Sequence, residues 1–266
     1  MGCKIGFIGT GVMGGALARA VRKSEDGVML ANVPESVAES LANELSCKFG
    51  SNKAVAGECE YIVLAVKPQI IRDVISEIAP VLKARSDRFV VITIAAGISV
   101  DTVRQTAGFD FPVIRLMPNT PVLVEKGVVL CVFDGVSETE KADFYRMFSG
   151  AGYCDEITED KIDAAGALTG CGPAFAYIAM KSLADGAAAC GIDGEKAKKY
   201  AELTVLGAAN LAFSSGEDLE KLKEAVCSPK GTTIEGVGVL EEREVRRAFA
   251  DAVKASYKRS LELGKK

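Results

Sequence analysis

Two short stretches of this 266-residue chain combine residue types and spacings that could do chemistry. The first runs from Cys3 to Ala20, where Gly9, Gly11 and Gly14 stand in G-x-G-x-x-G spacing. In that spacing the first glycine permits a tight turn. The second lets backbone approach a pyrophosphate, and the third lets a helix pack close to a strand. An apolar run, Cys3 to Ile8, precedes the turn, and a helix-like run from Val12 to Val21 follows it. Phosphates would then meet free N–H groups at a helix N-terminus. This is the context of a dinucleotide site; the plainer alternative is a glycine-rich turn with no ligand. The second stretch is Cys227 to Glu235, CSPKGTTIE. Thr232 and Glu235 have capping-box spacing, so a helix should start there. Ser228, Thr232 and Thr233 would bring hydroxyls to its N-terminus, a place that suits a carboxylate. A plain cap and turn is the other reading. Thr169 to Ala174, TGCGPA, has a similar build. Two such ends after a dinucleotide site suggest a small carboxylic-acid substrate.

Composition removes other chemistries. The chain has no histidine, so a histidine-based triad is excluded. Proton transfer must use another group, water, or a proton that the substrate already carries. Eight cysteines show neither C-x-x-C nor zinc-like spacing, so no metal site is expected. Several lie in apolar runs, where a free cysteine behaves as a small hydrophobe, and a reducing cytoplasm is their natural setting. A net charge of −4 and a pI near 5.2 favour neither nucleic acid nor an anionic membrane as partner. No secretory signal opens the sequence. The longest uncharged run, 164–180, contains glycines and a proline and is short for a membrane span.

The elements that must position these stretches follow in order. Val28 to Ala31 predicts a second strand ending at Asn32, which can donate to a ribose hydroxyl or a phosphate. Pro34 opens a helix through Leu45. Cys47 to Gly50 is a short strand, and Asn52 opens a small helix. Tyr61 to Val66 is apolar throughout, as parallel strands buried on both faces are. It ends at Lys67-Pro68, where Lys67 could meet a cofactor or simply face solvent. A helix over 69–82 leads to a strand over 88–94 and to Ala95-Ala96-Gly97, small enough for a flat ring to approach. A strand over 112–117 enters the stiff Pro118-Asn119-Thr120-Pro121 loop, which suits holding Asn119 against a ligand or making a structural turn. Strands over 128–133 and 152–157 flank a helix starting at Ser137. From Thr158 onward only helical periods remain. These predict an α/β domain over 1–157, with a mostly parallel, doubly wound sheet, and an all-helical domain over 158–266. Helices with wide apolar faces pack between subunits as well as within one.

At these residues the chain resembles the pyrroline-5-carboxylate reductase family. The resemblance runs through GFIGTGVMG (6–14), AVKPQ (65–69), IAAGIS (94–99), RLMPNTP (115–121), LTGCGPAF (168–175) and SPKGTT (228–233), and so covers nearly the whole chain. The last two together are close to diagnostic. It implies a Rossmann domain that binds NADPH or NADH and a helical domain that intertwines with that of a second subunit. The active site would lie at the dimer interface of a cytoplasmic homo-oligomer, a dimer or a pentamer of dimers (a decamer). The implied oxidoreductase reaction is hydride transfer to the C=N carbon of 1-pyrroline-5-carboxylate, giving L-proline in the last step of proline biosynthesis.

Carried over by residue, the turn Gly9, Thr10, Gly11, Val12 and Met13 matches cofactor-binding positions, as do Asn52, Ala65, Val66, Lys67, Pro68, Ala96 and Gly97. Asn32 and Asn119 join them from their places at strand ends. Thr233 matches a threonine beside the substrate nitrogen and is the expected catalytic residue. Ser228, Gly231 and Thr232 match the loop that holds the carboxylate, and Glu159 matches an acidic residue near the ring nitrogen. Three positions depart from the family pattern. Asn32-Val33 replaces Asn-Arg, with Glu35 close by, removing the usual partner of a 2′-phosphate. Cys171 replaces a serine and Lys230 a glycine. Two rival readings share the N-terminal fold: a β-hydroxyacid-type dehydrogenase using Lys181, and a non-catalytic NAD(P)-binding redox sensor.

Overall fold

The computed structural model describes residues 3–264. The apolar run after the N-terminus forms β1 (Cys3–Ile8), which pairs in parallel with β2 (Val28–Ala31) on one side and β4 (Cys59–Leu64) on the other. β3 (Lys48–Phe49) extends the β2 edge; β5 (Val90–Thr93) and β6 (Val113–Met117) extend the β4 side. β7 (Gly127–Asp134) runs antiparallel to β6, and β8 (Gly152–Glu156) runs parallel to β7. The strand order is β3-β2-β1-β4-β5-β6-β7-β8, so the expected mostly parallel, doubly wound sheet is present. Its topological switch lies between β1 and β4, where open sheets of this kind bind ligands beyond the strands' carboxyl ends.

Helices cover both faces. α1 (Val12–Arg22), α2 (Glu35–Leu45) and α6 (Glu138–Met147) close one core with Phe7, Tyr61 and Val63 of the sheet. α3 (Asn52–Glu58), α4 (Ile71–Lys83) and α5 (Val100–Ala107) close the other with Ile8, Ile62 and Leu64. The alternation along β4 explains its unbroken apolar sequence: odd and even residues each face a core.

One expectation fails here. Cys3 and Cys59 stand in register on β1 and β4, with Cα atoms 4.6 Å apart, and are joined as a disulfide. They are 56 residues apart in sequence, and only the strand register brings them together. The remaining cysteines are free thiols.

By compactness the chain divides into two units, Met1–Cys171 with Ser256–Lys266, and Gly172–Ala255. The helical period beginning near Thr158 forms α7 (Ile162–Thr169) within the first unit. It is seated there by Ile162, which packs with Leu130 and Val132. The second unit contains α8 (Gly172–Ala189), α9 (Gly194–Ser215), α10 (Leu219–Ala225), α11 (Thr232–Glu242) and the start of α12 (Val245–Gly264). Asp193 and Asp218 cap α9 and α10. Among this unit's described residues only the alanines Ala184, Ala197 and Ala201 are buried hydrophobics, whereas Phe213 is 90% exposed.

Candidate functional site

The three glycines of the first turn have separate reasons to be glycine. Gly9 has φ +99°, and a Cβ there would lie 2.6 Å from the Ala65 carbonyl oxygen. A Cβ on Gly14 would sit 2.2 Å from the Gly9 carbonyl oxygen and 2.9 Å from Ala65 Cβ. The protein's own packing therefore excludes a side chain at both. A Cβ on Gly11 would meet nothing within 4 Å. Gly11 is the N-cap of α1, which has no side-chain cap, so the first-turn N–H groups of Val12 and Met13 face outward. Beside them the hydroxyl oxygen of Thr10 is buried without a partner. An open backbone, free N–H groups and an orphaned hydroxyl fit the pyrophosphate of a dinucleotide.

Of the rest of the predicted cofactor set, Asn32, Ala65 and Val66 lie against this turn, and the others stand at or beyond the ends of neighbouring strands or at the start of α3. Asn32 follows β2, and its Oδ1 accepts the Thr10 N–H at 2.9 Å. Its Nδ2 donates to the Pro34 carbonyl at 3.2 Å, so Asn32 acts first as a brace for the turn. Ala65 to Pro68 follow β4; the Ala65 N–H donates to Ile8 O at 2.8 Å, and Lys67 is exposed. Ala96 and Gly97 follow β5, where Gly97 has φ +75°. Asn52 opens α3, and its Nδ2 donates to Glu77 Oε2 at 2.9 Å. Asn119 lies beyond β6 and faces inward: its amide donates to Thr169 O and its Oδ1 accepts the Val128 N–H, both at 2.9 Å. Its side chain thus ties the end of α7 to β7.

Glu159 belongs to a cluster that the motifs do not reveal. Its Oε1 accepts from Arg115 at 2.8 Å and from the Val100 N–H at 3.3 Å, while its Oε2 is buried and unpaired. Arg115, only 4% exposed, also donates to Asp163 Oδ1 at 2.9 Å, and that oxygen accepts from the Ser260 hydroxyl at 3.1 Å. The sequence signal was present: an arginine in the middle of the apolar strand VIRLM must find carboxylates if it is buried.

In the second unit, Ser228 to Thr233 form a tight turn into α11. Gly231 N–H donates to Ser228 O at 3.0 Å, and a Cβ on Gly231 would lie 2.3 Å from Ser228 Oγ. Lys230 takes φ +60°, so the glycine-to-lysine departure falls on a left-handed position. The predicted capping box is absent. Gly231, with φ −81° and ψ 168°, takes the N-cap place, and Thr232 becomes the first helical residue. No side chain caps α11, and Thr232 and Thr233 are exposed beside its free N–H groups. An uncapped N-terminus flanked by hydroxyls is a better anion site than a capped one.

A family model described as pyrroline-5-carboxylate reductase dimerisation matches residues 159–263, and one described as NADP oxidoreductase, coenzyme F420-dependent, matches residues 4–97. The pyrroline-5-carboxylate reductase of Methanosarcina acetivorans is 36% identical, with 99% of this chain and 98% of the relative aligned. Among solved structures, a pyrroline-5-carboxylate reductase from Coxiella burnetii superposes with TM-score 0.90 at 28% identity, covering 100% of both chains. The Plasmodium falciparum pyrroline carboxylate reductase with NADP bound superposes with TM-score 0.87 at 29% identity, covering 98% of each.

Proposed function

The chain belongs to the pyrroline-5-carboxylate reductase family, and from that premise we propose that it reduces 1-pyrroline-5-carboxylate to L-proline with NADPH or NADH. The observation that carries the reading is the uncapped start of α11, where Ser228, Thr232 and Thr233 offer hydroxyls beside open N–H groups. That end holds the substrate carboxylate. Ser228, Gly231 and Thr232 line the anion, and Thr233 orients the ring nitrogen. Glu159 is carried over only as the family's acidic residue; in the structure its Oε1 accepts from Arg115.

A nicotinamide cofactor held at the glycine turn would supply the hydride and leave in its oxidised form. The Val12 and Met13 N–H groups with Gly11 would hold its pyrophosphate, Ala96-Gly97 would leave room for a flat ring, and Asn32 fixes the turn through the Thr10 N–H. A cyclic imine that arrives protonated needs no further acid. Hydride added to the imine carbon would form the C–H bond as the C=N π pair moved to nitrogen, which would keep its proton and become the amine. This explains how a chain without histidine performs the step: its residues orient two reactants. The protein works as a homo-oligomer. A pentamer of dimers and a cytoplasmic location are our extensions of that reading; among the described residues no helix is long and apolar enough to cross a membrane.

Steady-state imine reduction with NADH and NADPH side by side tests the proposal. Thr233→Ala should lower kcat/KM by about 10- to 100-fold, the size expected when one positioning group is lost. Unchanged kinetics would remove Thr233 from the mechanism. Oxidation of a hydroxy acid without imine reduction would favour the Lys181 alternative, but Lys181 is 2.6 Å from the neighbouring carboxylate of Asp185 in an exposed pair on α8.

A further inference from the structure

In a dinucleotide-binding sheet, the segment after the second strand senses the adenine-side ribose. A carboxylate there accepts from a 2′-hydroxyl, whereas an arginine accommodates a 2′-phosphate. In this chain the bond from the Thr10 N–H to Asn32 Oδ1, 2.9 Å long, fixes that segment to the phosphate turn. From Asn32 to Glu44 it carries three carboxylates, Glu35, Glu39 and Glu44, and neither lysine nor arginine. Between α1 and α2 lies a groove of about 380 Å³ whose lining includes Thr10, Arg19, Ser36, Ser40 and Glu44. Arg19 is the lining's only cation, and Glu44 already grips it through two bonds, Nε to Oε1 and NH2 to Oε2, each 2.8 Å.

A 2′-phosphate would bring roughly −1.5 to −2 charges into this setting. It would have to share Arg19 with Glu44, whose carboxylate already holds the guanidinium bidentately, and no other cation lines the groove. A 2′-hydroxyl adds no charge and can donate to a carboxylate or accept from Ser36. We infer that this chain prefers NADH: the segment after β2 holds no cation for a 2′-phosphate, and Arg19, the one cation lining the groove, is already paired with Glu44. The inference rests on the reading that a nicotinamide dinucleotide occupies the glycine turn.

Calorimetric titration of the full-length protein with NADH and NADPH tests it without turnover. NADH should bind at least about tenfold more tightly than NADPH, the scale of an uncompensated like-charge contact. Val33→Arg, made at a position 86% exposed and left outside the machinery above, should narrow that gap several-fold, with the melting temperature unchanged. A smaller NADH preference, or NADPH binding that collapses in Arg19→Ala after matching NADH in the parent, overturns the inference. So does a gap that Val33→Arg leaves untouched. Binding of neither nucleotide overturns the dinucleotide reading itself, and the inference with it.

Discussion

Gly11 and Gly14 are three residues apart, yet alanine at each should report a different property. At Gly14 the new Cβ would lie 2.2 Å from the Gly9 carbonyl oxygen, and that oxygen belongs to backbone that cannot step aside without opening the turn. Gly14→Ala should therefore destabilise the protein by about 2–3 kcal/mol, read by denaturant unfolding. At Gly11 φ is −64° and ψ −167°, an extended conformation open to alanine, and nothing stands within 4 Å. Gly11→Ala should leave stability within about 0.5 kcal/mol of the parent while weakening nucleotide binding about tenfold, because the methyl occupies the path of the phosphates. Equal losses of stability in both variants would contradict the division of roles. At this scale the sequence was legible where one residue type has one steric use, as at Gly9 and Gly14. It was less so where a polar side chain has two uses. The sequence leaves the partners of Asn32 and Asn119 open, and in the structure their amides bond the backbone around Thr10, Pro34, Val128 and Thr169.

At the scale of elements, two stretches share the pattern Ser/Thr-x-x-Glu and fold differently. Ser137 and Glu140 form a capping box at the start of α6: Ser137 accepts the Glu140 N–H, and Glu140 accepts the Ser137 N–H at 2.7 Å. Thr232 and Glu235 do not, because the turn closing on Ser228 moves the N-cap to Gly231. Local spacing proposes a cap; the preceding turn decides which residue receives it. The same limit applies to Cys3–Cys59 and Arg115, whose partners are set by strand register and by a helix far along the chain. The capping box at α6 has a titration consequence. The Arg88 guanidinium at 2.6 Å, and then the Ser137 N–H and hydroxyl, hold the Glu140 carboxyl down at about 2. A carboxyl lowered on folding stabilises above its unfolded value near 4.3, and that contribution is lost as pH falls through the folded value. Glu140→Gln should cost about 1–2 kcal/mol at pH 7, and the gap to the parent should narrow below about pH 4.5 and close near pH 2. Urea unfolding across that range checks it; a pH-independent gap would mean that packing around Phe144 and Phe148, rather than charge, sets the loss.

The whole molecule must solve a problem that its second unit poses. Helices α8 and α9 carry Ile178, Leu183, Leu203, Leu206, Leu211 and Phe213 at 53–90% exposure, and among the described residues only three alanines in that unit are buried hydrophobics. An apolar groove of about 600 Å³, lined in part by Phe175, Ile178, Leu183, Leu240 and Phe249, runs along α8, α11 and α12. Each large apolar side chain left in water forgoes roughly 1.5–3 kcal/mol of burial, more in sum than a domain's usual margin of stability. A family model described as pyrroline-5-carboxylate reductase dimerisation matches residues 159–263, and a second copy of the chain is the cover we propose for this surface. The helical composition after Thr158 signalled this: apolar faces too wide for one domain's interior call for a partner. Placing a charge in the groove tests the dependence. Ile178→Glu should weaken self-association at least about 100-fold by desolvating a carboxylate against aliphatic side chains, as seen by analytical ultracentrifugation. Val33→Arg, on the exposed segment after β2, should leave the assembly intact. If Ile178→Glu also leaves it intact, that groove is not where the copies meet. If it dissociates the assembly yet each free chain reduces the imine at the parent rate, the active site is complete within one subunit, and the interface serves stability alone.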